Sequence, residues 1–357
     1  MNHTRLAPLL AILIALAACA DETLDVGAAG ADATNNGQST NNGQSSNNGQ
    51  PSNNGAIDAG DPTPDTGLPT EDTANNNGAS PDVPDDMAGA YEGEVSGEWC
   101  GNITVTGNLE VPAGQSLNLC PGTTVQLPAG TMFTVAGTLN AHGTANQRIA
   151  IRGGFEFIRV SGTLNADFVD LSGGNLCLWS RPGGAMNVND ATIDCRTPLK
   201  IDNGGTFNRT RITGSSSIYI EGGVLAMTDV DLSLSGADGP DCLKWNSGGA
   251  TLDHVRIHDC HCPLHFGRTN SPVTVTNSVF DNAAYPAMIA GTNATFTANH
   301  FVRGDSHILD IGGQIQANVA GNWWQGQAPN ISTTNPAQFT GTNDFRTDPV
   351  PGVGPRN

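Results

Sequence analysis

The 357-residue chain carries 34 Asp and Glu against 15 Lys and Arg, a formal net charge of −19, and only 5% of its residues are aromatic. That balance argues against nucleic acid as a partner, because phosphates need a basic face, and it favours solubility outside the cell. The acids are unevenly placed: residues 20–147 hold 16 of them and no Lys or Arg, whereas residues 148–357 hold 18 against 14 bases and are close to neutral.

Arg5 is followed by an apolar run, Leu6 to Ala18, of signal-peptide length and too short to span a bilayer. The run ends in Leu16-Ala17-Ala18-Cys19. This resembles the lipobox of bacterial lipoproteins, in which small residues give a peptidase access to the Cys whose thiol takes a diacylglycerol. Residues 1–18 then read as a lipoprotein signal peptide and Cys19 as the lipid attachment. Residue 20 is Ala, so the Asp that retains some lipoproteins at the inner membrane is absent, and the resemblance implies an outer-membrane or cell-surface protein.

Residues 19–94 contain four near-copies of Asn-Asn-Gly, beginning at Asn35, Asn41, Asn47 and Asn53, followed by an Asp/Pro/Thr stretch to Asp86. Aliphatic periodicity is missing, so the segment cannot bury enough apolar surface to offset the entropy of ordering. It reads as a disordered linker. A flexible chain of roughly 75 residues has a root-mean-square reach of about 50 Å, enough to hold a domain clear of a membrane.

From residue 95 a repeat takes over. Glycines recur at 137, 162, 184, 205, 223, 249, 291 and 313, with Asn270 standing in at one step, at intervals of 18 to 26 residues and a mean of 22. A period of that length marks a solenoid. After each glycine the apolar residues follow a fixed rhythm, as in Leu164, Ala166, Val169, Leu171 and again in Met186, Val188, Ala191, Ile193. Alternation, a two-residue break and renewed alternation describe two short strands joined by a bend. A third strand precedes the next glycine, carried by Leu176/Leu178, Leu199/Ile201, Ile218/Ile220, Leu243/Trp245, Leu264/Phe266 and Met288/Ala290. Three short strands per coil predict an all-β, parallel β-helix over residues 95–345, with residues 346–357 as a tail. A leucine-rich repeat would need its L-x-x-L-x-L run and a helical segment, and the chain has neither.

The first coils read Val111-Pro112-Ala113-Gly114, Cys120-Pro121-Gly122-Thr123 and Gly137-Thr138-Leu139, and the last includes Gly321-Asn322-Trp323-Trp324-Gln325-Gly326. They resemble the right-handed parallel β-helix repeat proteins of bacterial surfaces, of pectate-lyase-like fold, and the closing coil is similar to that of the carbohydrate-binding and sugar-hydrolase β-helix group. The resemblance covers about residues 95–345 and specifies fold far better than activity. It implies a polysaccharide or another envelope protein as partner.

Asn140, Asn165, Asn187 and Asn208 each lie three residues after their glycine. Stacked coils place them about 4.8 Å apart, where amides form a hydrogen-bonded ladder, a structural role that is favoured over a ligand-binding row. In an exported chain the cysteines can pair. Cys100 and Cys120 occupy matched places one coil apart and form the strongest expected disulfide; Cys242 and Cys262, just before Leu243 and Leu264, form the second. Cys177 with Cys195 is a looser possibility, and Cys260 is left over.

The densest chemistry lies between 253 and 265, with His258, Cys260, His261, Cys262 and His265. Cys and His at such spacing can ligate zinc or copper. In a β-helix, however, these residues fall on different strands and turns and need not converge, so turn-stabilising polar groups are the preferred reading. For glycoside hydrolysis, which needs facing carboxylates, Asp238 and Asp241 with Lys244 nearby are the best local set, although Asp-rich turns are what any β-helix requires. A lyase would instead need Arg or Lys as the base, from Lys200, Arg209, Arg211 or Lys244, beside a uronic carboxylate held by calcium or by basic residues. The pectin-hydrolase signatures are absent. Two functions therefore stand: a lipid-anchored surface module that binds glycans, adheres or supports the envelope, and an extracellular polysaccharide lyase or hydrolase.

Overall fold

The computed structural model describes residues 90–235, 240–268, 271–303 and 306–356. They form an all-β parallel solenoid of about eleven turns, and the sole helical element among them is one 3₁₀ turn, Pro336–Gln338. Each turn contributes to three ladders. The first is a twelve-stranded sheet that includes Thr138–His142, Thr163–Asp167 and Ala185–Asn189. The second includes Val169–Ser172 and Thr192–Asp194, and the third Phe157–Val160, Leu176–Ser180 and Thr197–Ile201. The long strand Asn102–Val111 pairs with Thr124–Leu127 through its first half and with Met132–Val135 through its second, which joins the second and third ladders into one 23-stranded network.

The apolar rhythm of the sequence points inward as its period demands. Leu164, Ala166, Val169 and Leu171 are buried, as are Met186, Val188, Ala191 and Ile193 in the next coil. The lining is largely aliphatic in the first coils and becomes aromatic toward the C-terminus, where Trp245 meets Phe266 at 4.5 Å and Phe301 stacks on Trp324 at 4.3 Å. The two-residue break is the corner between the first and second ladders. Its second residue is left-handed in seven successive coils, Phe168, Asp190, Arg209, Asp229, His254, Asn277 and Ala298, all with φ between 45° and 58°.

The recurrent glycine has a different cause. At Gly162 a Cβ would stand 2.0 Å from the Gly137 carbonyl oxygen, and at Gly137 it would stand 2.2 Å from that of Pro112. Neighbouring coils approach so closely there that only a residue without a side chain fits. Inside the last coils a column of buried polar side chains follows the corner. Ser278 Oγ accepts from Val255 N, Asn299 Oδ1 from Ser278 N, and Asn322 Oδ1 from Asn299 N, at 2.9–3.1 Å. These side chains satisfy amides that the corner would otherwise leave unpaired.

Several details differ from the sequence expectation. The first strand starts at Ala90 and pairs in parallel with Asn102–Val111, so the solenoid begins before residue 95. The C-terminal segment folds back along the coils: Val350 N donates to His300 Nε2 (2.8 Å), Gly354 N to Asn277 O (2.8 Å), and Arg356 grips Asp229 through two 2.8 Å contacts. Cys100 pairs with Cys120, and Cys177 with Cys195. Cys242 pairs with Cys260 instead of Cys262. Asp259, left-handed at φ 59°, turns the chain just before Cys260, which comes within 5.7 Å of Cys242 between Cα atoms. Cys262 is buried, with its Sγ 3.1 Å from Leu264 O. The amide ladder also shifts. Asn118, Asn140, Asn165 and Asn187 are joined amide to amide at 2.9–3.1 Å, but Asn208 lies opposite Asn189 in the neighbouring column and bonds to it. Cys19, the lipobox, the linker repeats and Asn270 lie outside the described residues.

Candidate functional site

The outward positions of the third ladder form one continuous row. Strand register sets Arg159 beside Trp179, Trp179 beside Lys200, Lys200 beside Tyr219, Tyr219 beside Lys244 and Lys244 beside His265. Six rungs at about 4.8 Å give a strip roughly 24 Å long. Cations lie against the rings: Lys200 Nζ is 4.8 Å and the Arg181 guanidinium 4.7 Å from the Trp179 centroid, and Lys244 Nζ is 5.6 Å from that of Tyr219. Such contacts hold a long cationic side chain in place at roughly 0.5–1 kcal/mol each at exposed sites. The acids flanking the row are engaged. Asp202 accepts from Trp179 Nε1 (2.9 Å) and pairs with Arg181 (3.3 Å), Asp241 meets His265 Nδ1 at 2.6 Å, and Glu221 accepts from Asn246. Among the described residues, Arg159, Lys200 and Lys244 have no carboxylate within ion-pair distance.

The second ladder is charged too, and several of its charges are paired. Arg148 is bidentate to Asp170, and Arg256 reaches Asp281 at 3.0 Å. His258 sits between Asp259 (Nδ1 to Oδ2, 2.7 Å) and Asp231 (Nε2 to Oδ1, 3.3 Å). Asp231, and then Asp259, hold the His258 ring above its ordinary pKa, and His258 lowers Asp231 in turn. Arg152 and Arg211 on that ladder are exposed and, among the described residues, have no carboxylate within ion-pair distance; the third ladder differs in setting its cations in register with aromatic rings.

The candidates read from the sequence are scattered. Asp238 lies outside the described residues. Asp241 does not face a second carboxylate; it is sequestered against His265, with both side chains about one-tenth exposed. Lys244 and Lys200 are on the row, while Arg209 is bound by both oxygens of Asp190 on another face. His258 belongs to the second ladder, His265 to the third, and His261 packs edge-on against Tyr285. These three histidines do not converge. Among the described residues, the one group with metal-ligand proximity is Glu98, Cys100 and Cys120, whose sulfurs are joined in a disulfide and supply no thiolate.

The row itself was missed in the sequence, although most of its signal was present. Lys200, Tyr219, Lys244 and His265 are the middle residues of the apolar-x-apolar triplets. Trp179 follows inward Leu178 and points out by plain alternation; the bulge after Leu176 instead buries Cys177 and leaves Leu176 half-buried. Met288, expected in the lining, is buried but stands on the outward register opposite His265, while Ala287 and Ile289 are the inward pair. No protein family, curated protein or solved structure matches the chain.

Proposed function

We propose that the protein is a lipid-anchored module of a bacterial cell surface whose third ladder binds glycan. The observation that supports this is the row of Trp179, Lys200, Tyr219 and Lys244, where aromatic and cationic side chains line up in register and, among the described residues, no carboxylate lies within ion-pair distance of Lys200 or Lys244. Aromatic rings suit sugar rings, and the cations suit acidic substituents. The anchoring half rests on Leu16-Ala17-Ala18-Cys19 and on the linker composition. No helix among the described residues is long and apolar enough to cross a membrane.

A second reading, an extracellular polysaccharide lyase or hydrolase, draws on one local feature. Asp241 and His265 form an acid-base pair at 2.6 Å on the rung next to Lys244. One experiment separates the two. The full chain is incubated with neutral and acidic polysaccharides, with calcium and with chelator, and both retention and new chain ends are followed. Retention without new ends, weakened by Trp179→Ala, is the expected result. Release of product, abolished by His265→Ala, would replace binding by catalysis. For the anchor, Cys19→Ser should shift the protein from the membrane fraction to the soluble one, and unchanged membrane retention would refute it.

A further inference from the structure

Cationic and aromatic residues do not merely share the row; they alternate along it. Arg159, Lys200 and Lys244 stand on every second rung, and Trp179 and Tyr219 occupy the rungs between. Two rungs of a parallel ladder are about 9.6 Å. The surface therefore offers one positive charge without a carboxylate partner about every 10 Å, with Lys200 leaning over the Trp179 ring and Lys244 over that of Tyr219, while the Arg181 guanidinium beside Trp179 is paired with Asp202. We infer that this row is matched to an extended acidic polysaccharide in which charged and uncharged sugars alternate, one carboxylate per disaccharide. The inference rests on the glycan-binding reading and adds the charge period of the ligand to it.

An extended pyranose chain advances by about one strand spacing per ring, so successive sugars can sit over successive rungs. In an alternating polymer every acidic sugar then has one unpaired cation, and the neutral sugars lie between. A homopolymer of uronic acid on the same surface would bring two carboxylates to each unpaired cation, so every second one would have no cation of its own to offset its desolvation. A neutral polymer would leave Arg159, Lys200 and Lys244 covered and unpaired. The scaffold makes the spacing rigid, because the rungs are fixed by backbone hydrogen bonds and not by side-chain rotamers. The flanking acids do not spoil the match, since Asp202 is occupied by Trp179 and Arg181, and Asp241 by His265.

The test titrates the full chain with four probes at one ionic strength: hyaluronan, which alternates glucuronate with an N-acetylated sugar, polygalacturonate, which is charged at every ring, neutral dextran, and oligo(dT). Hyaluronan should bind at least tenfold tighter than polygalacturonate, with dextran weaker still. Lys200→Gln and Lys244→Gln should each weaken hyaluronan binding roughly two- to fivefold, the range of an exposed ion pair. Tyr219→Lys fills the gap between two cations, and it should lower the preference for hyaluronan and raise affinity for polygalacturonate by a similar factor. Polygalacturonate equal to or tighter than hyaluronan would overturn the alternating register while leaving glycan binding in place. Retention of none of the three glycans would overturn the glycan reading itself, and with it the register; tightest binding of oligo(dT) would overturn both.

Discussion

Two asparagine columns run through this protein, one inside and one outside, and they should behave very differently when cut. Asn299 is fully buried. Its Oδ1 accepts from Ser278 N (2.9 Å), and its Nδ2 donates to Val275 O (2.8 Å) and to Asn322 Oδ1 (3.0 Å). Asn299→Ala leaves the Ser278 amide without its acceptor and the Val275 carbonyl without this donor, whereas Asn322 Oδ1 keeps the Asn299 backbone amide. An orphaned buried polar group costs about 1–3 kcal/mol, so the loss should be about 2–4 kcal/mol. Asn165, in the outer ladder, bonds to Asn140 and Asn187, but water can replace both partners. Its truncation to Ala should cost under about 1 kcal/mol. A solenoid is stabilised coil by coil, so a local probe is the better assay. Hydrogen exchange at the Ser278 amide should accelerate roughly 30- to 1000-fold in Asn299→Ala, the equivalent of about 2–4 kcal/mol, and stay near wild type in Asn165→Ala. Equal effects in the two variants, or a change below about fivefold at Ser278, would refute the account of the inner column as the means by which the corner is satisfied.

Other consequences can be checked on the same protein. Peptide mapping without reduction should recover Cys177–Cys195 and Cys242–Cys260, and a Cys242–Cys262 peptide would contradict the assigned corner. Replacing Cys177 and Cys195 together by Ser should cost about 3 kcal/mol in the loop-entropy picture for a sequence separation of 18, seen as a lower denaturation midpoint; an unchanged midpoint would mean that the coil is held without the bridge. Burial pushes the His300 ring below its ordinary pKa, and its Nε2 must be unprotonated to accept from Val350 N. The folded state then binds fewer protons than the unfolded one, so the contribution of this contact is complete above about pH 6.5 and is lost as the pH falls through the lowered value. Proteolysis of residues 347–356 should accelerate on acidification, and a rate independent of pH after correction for the protease would oppose it. His258, raised by Asp231 and Asp259, has the opposite sign: its contribution is complete below about pH 6.5 and is lost as the pH rises through its raised value. His258→Gln should flatten that alkaline loss in local exchange around residues 256–258, and an unchanged pH profile would count against the pairing.

The solenoid was legible because its cause is repeated. One missing side chain per coil at the Gly137, Gly162 and Gly184 positions, and one apolar rhythm per coil, are imposed by the close approach of successive backbones and by the two-residue corner. Repetition averages out local exceptions such as the 18-residue step between Gly205 and Gly223. Disulfides and functional rows depend instead on single offsets. The bulge after Leu176 turned Cys177 inward, where it pairs with Cys195, and the turn at Asp259 gave Cys242 a partner two residues earlier than its match to Leu264 suggested.

The same physics explains why metal and carboxylate candidates dissolved while the cation row emerged. Proximity in sequence meant little here: His258, His261 and His265 span only eight residues but lie across a corner and two ladders. Residues about 20 positions apart, by contrast, are nearest neighbours through the backbone. Lys200, Tyr219 and Lys244 are separated by 19 and 25 residues and stand on consecutive rungs. In a parallel solenoid a site is written down the column, at one outward position repeated coil after coil, so the informative comparison is between residues sharing a rung register. Read along that column, an acidic chain of net charge −19 has gathered three cations without carboxylate partners, among its described residues, onto one line and set aromatic rings between them. Like charges about 10 Å apart repel weakly across solvent, and the contacts with the half-buried rings offset that by roughly 0.5–1 kcal/mol each. The column register, not the order of residues along the chain, therefore decides which of these side chains can act together.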